Sequence, residues 1–135
     1  MIVIDASVTL AWCLRDEASD YANTILDRVA NEGAVVPAHW PLEVANGLLV
    51  AERRGRLEAD LVDEIGRTLA ALAVDIRPVE LSTAFWGVLQ AARKHGLSEY
   101  DAAYLDLSAT RELPLATIDA RLLAAAQQSG IEIAS

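Results

Sequence analysis

Short apolar runs alternate along the chain with segments in which apolar positions recur every three or four residues. The runs are rich in β-branched residues, which is typical of buried strands. Strands are predicted at residues 2–4, 34–36, 75–79, 115–118 and 131–133. The third is the weakest prediction, because Pro78 has no N–H to donate to a sheet.

The segments between these runs have the periodicity of amphipathic helices. Two apolar stripes show it clearly: Ala22, Ile25, Leu26 and Val29, and then Leu61, Ile65, Leu69 and Leu72. Further helices are predicted around residues 44–51, from Phe85 to near Gly96, from Ser98 onward with Ser98 as the N-cap, and over 121–128. Helices between short apolar strands predict an α/β fold with a parallel sheet covered on both faces. A length of 135 residues predicts one domain spanning 1–135.

The composition is that of a globular protein, with 53% hydrophobic residues and a mean hydropathy of +0.26. The single cysteine, Cys13, excludes an internal disulfide and any cysteine-cluster metal site. No apolar run approaches the ~18 residues of a membrane span, and the first residues lack the basic region of a secretory signal. We therefore expect a cytoplasmic protein with no membrane partner.

Four carboxylates fall where parallel strands end or where the following helices begin. Asp5 ends the first strand, Asp119 ends the fourth, Glu43 lies early in the helix after the second, and Asp101 follows Ser98. Ligands of open α/β sheets bind outside the carboxyl ends of the strands, so these side chains are predicted to converge. An alternative is purely structural, because acids at helix starts also cap free N–H groups and complement the helix dipole.

A convergent acidic cluster requires a cation. Two carboxylates ~4 Å apart repel by about 4 kcal/mol at an effective dielectric constant near 20, a large cost for a marginally stable domain. An oxygen-only site favours Mg²⁺, or Mn²⁺, over zinc. Because Mg²⁺ commonly bridges carboxylates and phosphate oxygens, the pattern points to phosphodiester chemistry and a nuclease. Ser7, Asn46 and Thr117 are candidate supporting residues next to this cluster.

Four segments in order along the chain carry a family resemblance. They are Asp5-Ala6-Ser7, the segment from Pro41 to Leu48, the segment from Gly96 to Leu105, and the segment from Pro114 to Asp119. Together they resemble the PIN-domain nucleases, and among them the VapC-type toxins of prokaryotic toxin–antitoxin pairs. The resemblance covers essentially the whole chain.

This resemblance implies a three-layer α/β/α sandwich, a homodimer and Mg²⁺- or Mn²⁺-dependent endoribonuclease activity. It implies an acidic quartet of Asp5, Glu43, Asp101 and Asp119, with the metal held mainly by Asp5 and Asp101, and with Ser7 and Thr117 as supporting hydroxyls. It also implies inhibition by a cognate VapB-type antitoxin, and an apolar groove near Leu10, Trp12 and Leu14 is a candidate site for an antitoxin helix. Trp40 and Trp86 are expected in the core or in groove walls.

Two other functions remain open: a PIN-domain nuclease of RNA processing that has no antitoxin, and an inert acidic module that only receives basic protein segments. Receiver domains and haloacid-type phosphatases are excluded, because Asp5 has no adjacent acid and Ser7 stands where such phosphatases have a second aspartate. The net charge of −9 opposes loose binding to any polyanion. Binding of RNA is therefore expected to depend on the metal and on local contacts.

Overall fold

The computed structural model describes all residues, 1–135. The strands are β1 (Ile2–Ile4), β2 (Ala34–Pro37), β3 (Val74–Arg77) and β4 (Leu115–Ala116). The helices are α1 (Ala6–Cys13), α2 (Asp20–Glu32), α3 (Trp40–Arg53), α4 (Ala59–Ala70), α5 (Leu81–Thr83), α6 (Leu89–His95), α7 (Glu99–Arg111) and α8 (Ala120–Gln128). A 3₁₀ turn spans Arg15–Glu17, and a π-helical segment spans Ala84–Val88 between α5 and α6.

The four strands form one parallel sheet in the order β3-β2-β1-β4. β1 is central, and all three of its side chains are fully buried. Helix α7 packs across β1, β2 and β4, whereas α1 packs against α2 and α3. The predicted three-layer α/β/α arrangement with a parallel sheet is therefore confirmed.

The strand order creates a topological switch point between β1 and β4. The chain moves outward from β1 through β2 to β3 and then returns to place β4 on the other side of β1. The connections after β1 and β4 consequently leave the sheet in different directions, which opens a crevice at the carboxyl ends of the two strands. Asp5 follows β1 directly, and Thr117 follows β4.

Four strand predictions differ from the structure. β2 was expected to stop before Pro37 but includes it, paired with Arg77 of β3. β3 stops at Arg77, before Pro78 removes a donor from the ladder. β4 stops after Ala116 because the chain then turns, with the Asp119 N–H donating to Thr117 Oγ1 at 3.0 Å. The predicted strand at 131–133 is reduced to a single parallel bridge between Leu115 and Ile133.

The tryptophans divide between core and surface. Trp40 is buried and donates from Nε1 to Thr9 Oγ1 at 3.2 Å, and half-buried Trp12 donates to the Ala22 carbonyl at 2.8 Å. The prediction for Trp86 is wrong, because this side chain is 74% exposed within the π-helical segment. The π-helical segment itself was also not predicted, because the 3.6-residue period does not anticipate it. None of the helices has the length and apolar character needed to span a bilayer.

Candidate active site

Asp5 is the most buried of the candidate carboxylates, with 4% of its surface exposed. It is the N-cap of α1, where its Oδ1 accepts hydrogen bonds from the Val8 N–H at 3.0 Å and the Ser7 hydroxyl at 2.6 Å. Its Oδ2 accepts a hydrogen bond from the Thr117 hydroxyl. Both carboxylate oxygens are thus held in place, and the capping role coexists with the position at the crevice.

The hydroxyls of Ser7 and Thr117 join the two sides of the switch point. Ser7 Oγ accepts from the Ile118 N–H at 3.2 Å, while Thr117 Oγ1 accepts from the Asp119 N–H. Asp119 in turn caps α8, because its Oδ1 accepts from the Leu122 N–H at 2.9 Å. Side-chain hydrogen bonds between residues more than a hundred positions apart therefore link the two sides of the crevice between β1 and β4.

Burial raises the pKa of Asp5 from 3.8 to about 6. Hydrogen bonds from Ser7, Thr117 and Val8 favour the ionised form, but they only partly offset the loss of water, and the negative charge of Asp101 adds to the rise. An ionised Asp5 is consequently costly in this position unless a positive charge is brought to it.

Glu43, in the first turn of α3, is held in its ionised form by two donors. Its Oε1 accepts from the Tyr104 hydroxyl at 2.6 Å and lies 3.2 Å from His39 Nε2. Burial works against the charge on Glu43, but these hydrogen bonds and the proximity of His39 outweigh it and lower the pKa. Tyr104 is 1% exposed, so the core of the protein positions this donor.

Asp101 lies close enough to Asp119 and Glu43 for their charges to affect its pKa. It lies in the first turn of α7, where its backbone N–H donates to the Ser98 hydroxyl at 3.1 Å, so the predicted N-cap is confirmed. Burial raises the pKa of Asp101, and the charges of Asp119 and Glu43 raise it further. The carboxylates on α1, α3, α7 and α8 therefore share one electrostatic environment at this edge of the sheet.

No arginine or lysine forms an ion pair with any of these four carboxylates; the only basic partner is His39, beside Glu43. No three Asp, Glu, His or Cys side chains are close enough together to enclose an ion directly. Mg²⁺ keeps several of its waters and is commonly held by one or two carboxylates, so the oxygen-only arrangement fits a hydrated Mg²⁺ or Mn²⁺. It does not fit a structural zinc site.

Two residues of the site were not predicted from the sequence. His39 shows the i, i+4 spacing to Glu43 that would have indicated a contact, whereas nothing local in the sequence indicates that Tyr104 reaches Glu43. The candidate Asn46 lies exposed one turn after Glu43, and its side chain forms no hydrogen bond with the carboxylates. The contacts that support the site come from Ser7, Thr117 and Tyr104.

Replacing Tyr104 by Phe is expected to lower the free energy of unfolding by about 1–2 kcal/mol at pH 7, because an ionised Glu43 loses a buried donor. The pKa of Glu43 is lowered from 4.5 in the folded state, so the stabilisation is present above pH 4.5 and lost as pH falls through the folded value. Urea unfolding of both proteins between pH 3 and 7 measures the difference. An equal deficit at every pH would point instead to altered packing.

The PIN-domain family model, described as "PIN domain", matches residues 2–135. The chain is 32% identical over 125 residues to Ribonuclease VapC3 of Pyrobaculum aerophilum, covering 90% of this chain and 91% of that one. The crystal structure of PAE2754 from Pyrobaculum aerophilum has a TM-score of 0.70 at 23% identity and covers 92% of this chain and 78% of that one. A toxin–antitoxin complex from Klebsiella pneumoniae has a TM-score of 0.64 at 14% identity, over 92% and 91% of the two chains.

The two structures share the fold of this chain, and the family match spans its strands, its helices and the acidic crevice. The relative from Pyrobaculum aerophilum adds a similarity in sequence along nine-tenths of the chain. This chain therefore belongs to the PIN-domain family, and within that family to the group of the VapC proteins.

Proposed function

We propose that this protein is a metal-dependent endoribonuclease that acts as the toxin of a VapBC-type toxin–antitoxin pair. The observation that carries the proposal is the environment of Asp5, a buried carboxylate at the switch point whose charge no basic side chain balances. A catalytic cation would balance it. The relative from Pyrobaculum aerophilum is named a ribonuclease, and a structure with the same fold is a toxin–antitoxin complex.

In the proposed mechanism, Asp5 and Asp101 would hold the cation, and Glu43 and Asp119 would hold its waters or a second ion. When bound, such a cation would supply Lewis-acid charge at a phosphate and activate a water. Ser7 and Thr117 fix the orientation of Asp5, and the Tyr104 hydroxyl fixes that of Glu43.

The proposal is tested by incubating the purified protein with RNA in Mg²⁺, in Mn²⁺ and in EDTA, and mapping the new RNA ends. We expect cleavage with either metal and none in EDTA. Asp101→Asn is expected to abolish it, whereas Asp106→Asn, the same change five residues later on α7, is expected to leave it intact. Equal cleavage by the Asp101→Asn protein would contradict the proposed site, and no cleavage by the wild type under any condition would favour an inert acidic module.

An apolar groove of about 780 Å³ supports the proposed antitoxin partner. It is lined by residues of α1, α2 and α4 and of the turn after α1, including Trp12, Leu14 and Ile65. Its charged lining is mixed: Arg15, Asp16, Arg56 and Glu64. These dimensions and the apolar lining suit one amphipathic helix. Leu10, which the sequence suggested for the same groove, packs instead against Gly47 of α3.

A homodimer is part of the same proposal. Three large apolar side chains stand exposed on one helical stretch: Leu81 by 74%, Phe85 by 53% and Trp86 by 74%. A surface of this kind is unusual for a monomer and suits a self-complementary interface. Sedimentation of the wild type beside the Trp86→Ala protein tests it, since removal of a central anchor is expected to weaken the dimer.

A further inference from the structure

Large apolar side chains stand exposed immediately before three of the four carboxylates. They are Leu42 before Glu43, Tyr100 before Asp101 and Ile118 before Asp119, with exposed fractions of 75, 63 and 46%. We call these three residues the apolar rim. Scattered exposed apolar residues need no explanation, but a set that accompanies the acidic residues on three separate elements does.

Tyr100 is exposed and yet held in place. Its ring centroid lies 5.5 Å from that of His39, at an angle of 59°, and its backbone carbonyl lies 2.9 Å from His39 Nε2. His39 is itself fixed by Glu43 and by an edge-on contact with the Tyr104 ring at 5.2 Å. The free face of Tyr100 is thus preorganised one residue away from Asp101, so little conformational entropy is lost when a flat ligand stacks on it.

On the other side of the crevice, Ile118 is also anchored close to the carboxylates. Its backbone N–H donates to Ser7 Oγ at 3.2 Å, and Ser7 in turn donates to Asp5. Tyr100 therefore lies beside the His39–Glu43 pair, and Ile118 lies beside the Ser7–Asp5 pair.

Electrostatics oppose tight non-specific binding of RNA. The chain carries a net charge of −9, and two bound divalent ions would leave it negative. Contacts between basic side chains and phosphates normally dominate the binding of nucleic acids, so an acidic chain gains less from them. Contact with the bases is a further source of affinity, and aromatic stacking tolerates any base because every base has a π face.

We infer that Tyr100 is a substrate-binding residue that stacks on an unpaired base next to the scissile phosphate, with Ile118 contacting the RNA on the opposite side. The inference rests on the proposed ribonuclease function. It requires the substrate to be single-stranded at the cleavage site, because the faces of paired bases are already stacked within the helix. It also assigns the binding of the bases to Tyr100 and Ile118, rather than to the carboxylates.

The test uses steady-state cleavage of a single-stranded oligoribonucleotide that contains a mapped site. Tyr100→Ala is expected to lower kcat/KM by roughly 5- to 150-fold, mainly through a higher KM, because stacking is worth about 1–3 kcal/mol per base. Tyr100→Phe keeps the ring and is expected to stay close to wild type. Leu49→Ala removes another exposed apolar side chain, on α3, to which no role in the site or in the dimer is assigned, and it is expected to leave KM unchanged.

Abasic substitutions in the RNA identify the contact. In wild type, removing one base beside the scissile phosphate is expected to raise KM as much as Tyr100→Ala does, and in the Tyr100→Ala protein the same removal is expected to cost nothing further. If base removal and Tyr100→Ala raised KM additively at every position of the RNA, the inference would be overturned. An unchanged KM in the Tyr100→Ala protein would also overturn it. If Tyr100→Ala left KM unchanged but weakened inhibition by an antitoxin peptide, the inference would also be overturned. That result would assign the apolar rim to a protein partner. A wild type that cleaves no RNA overturns the proposed function, and this inference with it.

Discussion

Asp5→Asn is expected to lower RNA cleavage by about a thousandfold or more and, at the same time, to make the metal-free protein more stable. The loss of activity follows from the role proposed for Asp5, because charge stabilisation by a bound metal contributes several kcal/mol to such reactions. The gain in stability follows from burial. Asp5 is 4% exposed, and its ionised form is disfavoured in the folded state.

The pH dependence of that gain is set by the two pKa values of Asp5. The pKa of Asp5 is about 6 in the folded state and 3.8 in the unfolded state, so the folded state binds the proton more tightly. The contribution of Asp5 to the free energy of unfolding is therefore fully present below pH 3.8 and is lost as the pH rises to about 6. The difference between the two pKa values corresponds to a loss of about 3 kcal/mol in the free energy of unfolding. Asn is neutral throughout and still accepts the Val8 N–H, so it avoids this loss.

Urea unfolding of wild type and Asp5→Asn in EDTA, from pH 4 to 8, measures the effect. We expect the two free energies to converge near pH 4 and the variant to be more stable above pH 6. Asp63→Asn, which neutralises an exposed acid on α4, serves as the matched control and is expected to follow wild type. A variant that is less stable than wild type at pH 8 would mean that the hydrogen bonds of Asp5 outweigh its desolvation.

Millimolar Mg²⁺ is expected to raise the Tm of wild type and to leave that of Asp101→Asn almost unchanged. An ion that binds only the folded state stabilises it by about 2.7 kcal/mol at a hundred times Kd, or roughly 10 °C for a domain of this size. Asp101 is central to this prediction because burial and the charges of Asp119 and Glu43 all raise its pKa, and a bound cation relieves that repulsion.

Salt alone also stabilises an acidic protein by screening, so NaCl at matched ionic strength is the necessary comparison. Asp106→Asn is the matched variant, since it removes one charge from the same helix and is expected to keep the response to Mg²⁺. Equal shifts in NaCl and MgCl₂, or an undiminished shift in Asp101→Asn, would show that this edge of the sheet holds no specific ion.

Much of the fold follows from local patterns in the sequence. The alternation of short β-branched runs with amphipathic segments predicted the parallel α/β sheet, and Ser98 was recognisable as an N-cap. The same patterns located Asp5 and Asp119 at the ends of strands, where the sheet topology makes a crevice. These features depend on neighbours within a few residues, and a sequence displays such neighbours directly.

The tertiary structure alone decided how that crevice is built. The bonds from Thr117 to Asp5 and from Tyr104 to Glu43 join residues 112 and 61 positions apart, and no periodicity encodes such pairs. The same holds for the exposure of Trp86 and for the raised pKa of Asp5, which depends on what surrounds β1. The sequence by itself determined which carboxylates stand at the strand ends. Packing decided which of these carboxylates are buried away from water, and that burial is the reason why a cation is proposed to bind there.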